Sequence, residues 1–151
     1  MFQVNLAWRF KHPAEPALVL TPPDKATEAD DGLLTASEIA QLKFNAEWVI
    51  LSACNTAHAE SAGAEGLSGL AKAFFYAGSR ALLVSHWPVE SKSATELTMG
   101  MFEALKTNPS IGRSEALRRS MFKLAANDNH PHWAHPAFWA PFVVVGEGAR
   151  R

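Results

Sequence analysis

The amino-acid sequence predicts one α/β domain with a mainly parallel sheet flanked by helices. Two apolar runs of strand length, residues 48–52 (WVILS) and 80–85 (RALLVS), are typical of strands covered on both faces. Stretches with helical spacing of apolar residues lie between and after these runs, and this alternation is the pattern of a parallel sheet. The 151 residues suit a single domain with one core.

The segment before the first buried strand predicts a short strand, a loop and a short helix. Residues 16–21 form the strand, at an edge or on a hairpin arm, because two prolines follow it. The acidic residues 24–32 are typical of a solvated loop. Thr35 or Ser37 is then the N-cap of a helix whose first turn contains Glu38.

Three longer helices and a last strand complete the pattern. The helices cover residues 66–77, 91–106 and 111–126, the strand covers residues 142–146, and Gly78 ends the first of these helices as its C′ residue. The apolar spacing predicts the following inward-facing side chains: Leu67, Leu70, Phe74 and Ala77, then Leu97, Met101, Phe102 and Leu105, then Ala116, Leu117, Phe122 and Leu124.

Charge and composition exclude several classes of protein. The formal net charge is −1 and the basic residues form no stripe, which argues against nucleic-acid binding. No window approaches the roughly 18–20 apolar residues of a membrane span, and the N-terminus lacks a secretory signal. A single cysteine forms no internal disulfide, so we expect a cytoplasmic protein with a free thiol.

That cysteine, Cys54, follows the first buried strand, and His86 follows the second. Functional groups of open α/β sheets gather beyond the carboxyl ends of the strands, so a thiol and an imidazole are predicted to share one edge. Cys54 is a nucleophile if a base supports its thiolate, and the small residues 58–69 would let backbone N–H groups form an oxyanion hole. The competing interpretation is a small, buried side chain followed by a flexible loop.

Three of the six histidines, His130, His132 and His135, lie in one polar stretch and raise the question of a metal site. This stretch contains no cysteine or carboxylate at ligand spacing, and it does not fit the helical two-histidine pattern of hydrolytic zinc sites. We therefore expect no metal and no cofactor.

Four ordered blocks of sequence together resemble one known family. They read VILSACNTA, GAEGLSGLAKAFFYAGSRALLVSHWPV, IGRSEALRRSM and HPAFWAPFVVVGEG. These blocks are similar to the core of the CHAT domain family, caspase-like domains of bacteria related to caspases and separases. The resemblance covers residues 14–148, with residues 1–13 as an unmatched N-terminal segment and residues 149–151 as a tail.

The resemblance implies a caspase-like three-layer fold and a cysteine endopeptidase with a His–Cys dyad. Cys54 matches the family's nucleophile, and its backbone N–H would belong to the oxyanion hole. A protein or peptide is the implied substrate, and a regulatory protein is a possible partner, because related domains often accompany tetratricopeptide repeats.

The sequence departs from the family at the histidine of the dyad. The family's His-Gly pair has no counterpart here, and its position falls near Gln3, which takes no proton from a thiol. Three explanations compete: an N-terminally truncated chain, a pseudoenzyme, or a substitute base. His12 and His86 are the candidate substitutes, and His86 also suits a role at the rim of a substrate pocket.

These observations predict little or no peptidase activity for the chain as it stands. The alternative function is a non-catalytic protein-interaction module that retains the caspase-like fold. A third interpretation is a structural α/β domain with a buried cysteine. By the resemblance, the strand that precedes the family's histidine is missing as well. A sheet that lacks its first strands would expose an edge, and self-association through that edge is expected.

Overall fold

A computed structural model describes residues 15–21, 27, 31–43, 45–51 and 63–149. These residues form five strands, four α-helices and two short 3-10 turns. In chain order they are β1 (Ala17–Val19), β2 (Leu33–Thr35), α1 (Ala36–Gln41), β3 (Val49–Leu51), α2 (Gly63–Tyr76), β4 (Ala81–Ser85), α3 (Ser91–Thr107), α4 (Arg113–Ala125), the turns Pro131–Ala134 and Pro136–Phe138, and β5 (Phe142–Gly146). The α/β class is confirmed. No helix within these ranges combines the length and the apolar character needed to cross a membrane.

The described strands form two sheets, and the larger one is mixed rather than mainly parallel. Its order is β3-β4-β5, with β3 parallel and β5 antiparallel to β4. The direction of β5 follows from the two helices that precede it. The helix α3 carries the chain away from the end of β4 and α4 returns it, so β5 begins beside Ser85, where β4 ends.

The smaller sheet is a hairpin that sequence reasoning recognised only in part. β1 pairs antiparallel with β2, with Leu18 opposite Leu34, so the hairpin-arm interpretation of the first strand is confirmed. The sequence does not predict the second arm, because its three residues run directly into the N-cap of α1. Most of the predicted acidic loop lies outside the described residues, although the Asp31 carboxylate accepts a hydrogen bond of 2.8 Å from the backbone N–H of Leu33.

A capping box starts α1 at the residue where β2 ends. The Thr35 hydroxyl oxygen accepts from the backbone N–H of Glu38 at 3.3 Å, and the Glu38 carboxylate accepts from the backbone N–H of Thr35 at 2.8 Å. Thr35 is therefore the N-cap. Ser37, the other candidate, instead donates its hydroxyl hydrogen to the carboxylate of Glu15 at 2.7 Å.

Replacing Thr35 with valine is expected to lower the free energy of unfolding by about 1 kcal/mol, because the first turn of α1 loses its side-chain acceptor. Urea denaturation followed by circular dichroism measures this change. Ser37→Ala is the matched control, since it removes an exposed hydroxyl from the same turn. Equal losses in the two variants would show that the capping box contributes nothing specific.

Two hydrophobic clusters lie on opposite faces of β4. Leu82 and Val84 belong to the cluster formed with α1 and α2, whereas Leu83 belongs to the cluster formed with α3 and α4. Alternate residues of a strand point to opposite faces, so helices cover both faces of the larger sheet. β4 is buried along its whole length.

Most inward-facing side chains were predicted correctly. Those that are buried as expected are Leu70, Phe74, Ala77, Leu97, Met101, Ala116, Leu117 and Leu124. Phe102 and Phe122 contradict the prediction, with 48% and 64% of their surface exposed. Phe122 lies on the side of α4 opposite Leu117 and Leu124, under the guanidinium of Arg118. Leu105 is only partly buried, and the side chain of Leu67 lies outside the described part of the chain.

Gly78 ends α2 as predicted. Its φ angle is 100°, in the left-handed region that favours glycine, and its backbone N–H donates to the carbonyl oxygen of Phe75 at 3.0 Å. This tight ending turns the chain directly into β4, which starts at Ala81.

Candidate functional site

The edge where β3 and β4 end is the candidate site, and we call it the carboxyl rim. Leu51 lies opposite Val84 in the parallel pair, and Phe142 at the start of β5 lies opposite Ser85. The chain therefore leaves β3 and β4 at the same edge at which it enters β5. Open α/β sheets bind their ligands at an edge of this kind.

Cys54, the predicted nucleophile, follows Leu51 by three residues and lies outside the residues that the structure describes. His12, the candidate substitute base, and Gln3, near which the family's histidine is expected, also lie outside the described ranges.

His86 is the first residue beyond β4, and its side chain is exposed on the carboxyl rim. Its backbone N–H donates to the carbonyl oxygen of Pro141 at 3.0 Å, which continues the pairing of β4 with β5 by one residue. The predicted place of His86 at the strand end is thus the observed one. Its action on Cys54 stays a prediction.

Residues 86–90, which we call the rim turn, connect β4 to α3. Residues 130–141, which we call the histidine segment, contact this turn through three hydrogen bonds. The indole N–H of Trp87 donates to the carbonyl oxygen of Ala137 at 3.1 Å, and the indole N–H of Trp133 donates to the Glu90 carboxylate at 2.7 Å. These two hydrogen bonds hold the rim turn against the histidine segment.

The histidines of this segment make packing and hydrogen-bonding contacts. The His130 ring stacks on Trp133 with 4.0 Å between ring centroids, and the His132 ring meets Phe138 edge to face at 5.3 Å. The Nδ1 atom of His135 accepts from the backbone N–H of Ala137 at 3.2 Å. Within the described ranges, no three His, Cys, Asp or Glu side chains are grouped to hold a metal ion.

Glu90 and Trp133 are the residues of the rim that sequence reasoning missed. Their contact joins positions 43 residues apart, a separation that no local pattern reveals. One signal was available, because a tryptophan within a polar loop commonly anchors that loop in a core. Trp133 is 1% exposed and belongs to the cluster formed with α3 and α4.

The opposite edge of the larger sheet carries a network of ion pairs. Glu47, just before β3, lies 3.6 Å from the Arg80 guanidinium and 3.1 Å from that of Arg113. Arg113 also donates to the backbone carbonyl oxygen of Glu147 at 3.1 Å and lies over the ring of Trp48. These groups border a groove of about 420 Å³ and link the start of α4 to the sheet.

The clearest pKa displacement is at the start of α4 rather than at the carboxyl rim. Hydrogen bonds from Arg118 and Arg119 lower the pKa of the Glu115 carboxyl from 4.5 to about 2. Glu115 and its two partners lie on one exposed surface of the helix, so this displacement reflects ion pairing within α4 and marks no catalytic group.

Fold and site together define an α/β domain with a mixed sheet, whose two parallel strands end on one rim. The only cysteine of the sequence follows the end of β3 by three residues. The sequence model of the CHAT domain matches residues 2–147. The chain belongs to the CHAT domain family, and the resemblance inferred from the four sequence blocks is confirmed.

Two curated relatives carry similar sequence. Tetratricopeptide repeat protein 28 of Mus musculus is 29% identical over 122 residues, which cover 78% of this chain and 5% of that protein. Tetratricopeptide repeat protein 28 of Homo sapiens is 26% identical over 118 residues, which cover 78% of this chain and 4% of that protein. This chain thus corresponds to a small part of each relative. No solved structure matches it significantly.

Proposed function

We propose that this chain is a caspase-like cysteine peptidase domain in which Cys54 is the nucleophile toward a peptide carbonyl. The observation that carries the proposal is the parallel pair β3–β4, from whose shared end the chain continues to Cys54 and to His86. Membership of the CHAT family, which is caspase-like, supports the same chemistry. Helices on both faces of the sheet support a caspase-like three-layer arrangement.

The proposed reaction is acyl transfer in two steps. The Cys54 thiolate attacks the peptide carbonyl carbon, and the tetrahedral intermediate collapses to a thioester as the amine leaves with a proton. Water then attacks the thioester carbon, which releases the acyl group as the carboxylic acid product and regenerates the thiol. Backbone N–H groups near the nucleophile hold the oxyanion in both steps.

This domain lacks a histidine at the place where the family has the base that deprotonates the cysteine. Free cysteine has a pKa of about 8.5, so only a few per cent of it is thiolate at neutral pH without an activating group. By the resemblance, the position of the family's histidine falls near Gln3, whose side chain takes no proton from a thiol. We therefore propose that the Cys54 thiol reacts with strong electrophiles. Cleavage of ordinary peptide bonds should be slower by several orders of magnitude than in a domain that has both the histidine and the cysteine of the dyad.

His86 is assigned to the wall of the substrate cleft. It lies on the carboxyl rim with an exposed side chain, and its backbone is paired with Pro141. A histidine fixed in this way can contact a substrate side chain without serving as the base. The free thiol suits a reducing compartment such as the cytoplasm, and a regulatory protein partner remains part of the proposal.

A second candidate function is a protein-interaction module that keeps the fold without catalysis. The observation in its favour is that the sequence contains no His-Gly pair, the pattern that carries the family's histidine. Under this alternative the carboxyl rim binds a protein segment without catalysis. Cys54 should then react with a peptide-based electrophile no faster than with a small electrophile.

Labelling with a peptide that carries a cysteine-directed electrophile tests the proposal. We expect the wild-type chain to react faster with this probe than with the same electrophile lacking the peptide, and Cys54→Ala to abolish labelling. His86→Ala is expected to reduce the preference for the peptide, whereas His12→Ala leaves it unchanged. The labelling rate should rise toward pH 9, as it does for a thiol without an activating base.

Equal rates with the two probes would contradict a peptide-binding site at Cys54 and favour the interaction module. A rate that is already maximal below pH 7 would contradict the loss of the base, since it requires an activated thiolate. In that case the effects of His12→Ala and His86→Ala identify the group that activates it.

A further inference from the structure

We infer that Glu90 is a positioning residue for the wall of the substrate cleft. Through the buried indole of Trp133 it fixes the rim turn, and thereby the exposed side chains of His86 and Trp87, against the histidine segment. This inference rests on the proposed function, because it concerns how the carboxyl rim receives a peptide.

The contact between Glu90 and Trp133 joins the rim turn to the core. The indole N–H donates to one carboxylate oxygen at 2.7 Å, and hydrogen bonds to an ionised acceptor are stronger than those between neutral groups. Trp133 is 1% exposed, whereas the Glu90 side chain is 44% exposed. A surface carboxylate is thus tied to a side chain that cannot move without disturbing the core.

Two more hydrogen bonds tie the other end of the rim turn to the same segment. The backbone N–H of His86 donates to Pro141, and the indole N–H of Trp87 donates to Ala137. Both side chains remain accessible, Trp87 with 39% of its surface exposed. The turn is therefore held at residues 86, 87 and 90 while the side chains that a substrate would meet face solvent.

The basic side chains of the rim turn's surroundings, His132 and Lys92, give the Glu90 carboxylate no hydrogen bond in place of the indole. The His132 Nε2 atom lies 4.0 Å from the same carboxylate oxygen, beyond hydrogen-bonding distance. The Lys92 ammonium lies 2.9 Å from the Nε2 atom of His130, which must accept because an ammonium has no lone pair. Among the described side chains, Trp133 is therefore the one that donates a hydrogen bond to the Glu90 carboxylate.

A fixed rim turn lowers the ordering cost of peptide binding. A wall that is already in its bound conformation loses little conformational freedom when an extended peptide docks, whereas a loose wall must be ordered at that moment. The labelling rate of a small reagent that does not contact the wall should not depend on whether the wall is ordered. Loss of the contact should therefore slow the peptide probe selectively.

The test compares Glu90→Ala, Glu90→Gln and the control Glu96→Ala, which removes an exposed carboxylate further along α3. The first readout is the ratio of Cys54 labelling rates with the peptide probe and with iodoacetamide. We expect Glu90→Ala to lower this ratio about tenfold, the order expected from losing one charge-assisted hydrogen bond. Glu90→Gln keeps an acceptor for the indole and should restore most of the ratio, and Glu96→Ala should leave it unchanged.

The second readout is amide hydrogen exchange of residues 86–90, which needs no reactive thiol. Exchange should become faster in Glu90→Ala and in Trp133→Phe. Trp139→Phe is the matched control for the latter, because the buried indole N–H of Trp139 has no acceptor within the described ranges. Exchange in this control should stay close to that of the wild type.

The inference is overturned if Glu90→Ala matches Glu96→Ala in both readouts. It is also overturned if Glu90→Gln behaves like Glu90→Ala, since a positioning contact survives that change. A wild-type chain with no preference for the peptide probe would instead refute the proposed function, and the exchange data alone would then show whether Glu90 holds the turn.

Discussion

Replacing Leu97 with alanine is expected to lower the free energy of unfolding by about 3–5 kcal/mol. Leu97 is 0% exposed and lies in the cluster formed by α3, α4 and β4. The surrounding structure has little freedom to fill the space, because the Ser120 hydroxyl donates to the carbonyl oxygen of Leu97 at 2.6 Å and fixes the two helices in place. The variant should therefore keep most of the cavity that the lost side chain leaves.

Urea denaturation monitored by tryptophan fluorescence measures this loss, and Met99→Ala is the control. Met99 lies on the same helix with 61% of its surface exposed, so its truncation should change the free energy of unfolding by less than about 1 kcal/mol. Similar losses at the two positions would mean that the interface between α3 and α4 is not the tightly packed core described above.

Gly146→Ala is expected to destabilise the fold by about 3 kcal/mol, through backbone strain and steric overlap. The φ angle of Gly146 is +94°, and a Cβ atom would lie 2.6 Å from the carbonyl oxygen of Arg80. That oxygen also accepts from the backbone N–H of Glu147, so it cannot retreat without breaking the pairing of β4 with β5. For a chain of this length the loss corresponds to a fall in Tm of roughly 6–12 °C.

Differential scanning calorimetry gives the Tm, and Gly148→Ala provides the comparison. A Cβ atom at Gly148 would meet the Ser114 hydroxyl, which can rotate away, and its φ angle is not in the left-handed region. Its effect should be clearly smaller. If both variants lower the Tm equally, the left-handed conformation of Gly146 is not what limits substitution at the end of β5.

The sequence predicted the elements of this fold better than their arrangement. β3, β4 and β5 were recognised because apolar runs of strand length are a local signal. The direction of β5 was not, since it depends on the number of helices that precede it. Phe102 and Phe122 were placed wrongly because helical spacing does not say which of two apolar faces meets the core.

The candidate site was predictable only where its residues follow strand ends. Cys54 and His86 are singled out because each follows an apolar run of strand length, and the structure places His86 at the end of β4. The contact of Glu90 with Trp133 depends on tertiary packing between segments far apart in the chain, so no periodicity or motif could have revealed it. The role of Cys54 itself stays a prediction.

Because α4 returns the chain to the carboxyl rim, the histidine segment between α4 and β5 can change during evolution while the sheet stays the same. The histidine segment spans the distance between two anchored elements, because α4 is packed in the core and β5 is paired with β4. Lengthening such a loop twofold adds only about 0.6 kcal/mol of closure entropy. Insertions at exposed positions of this segment that leave Trp133 in the core can therefore change one wall of the proposed cleft without changing the register of the sheet. The selectivity of the proposed site and the thermal stability of the fold could then change separately during evolution.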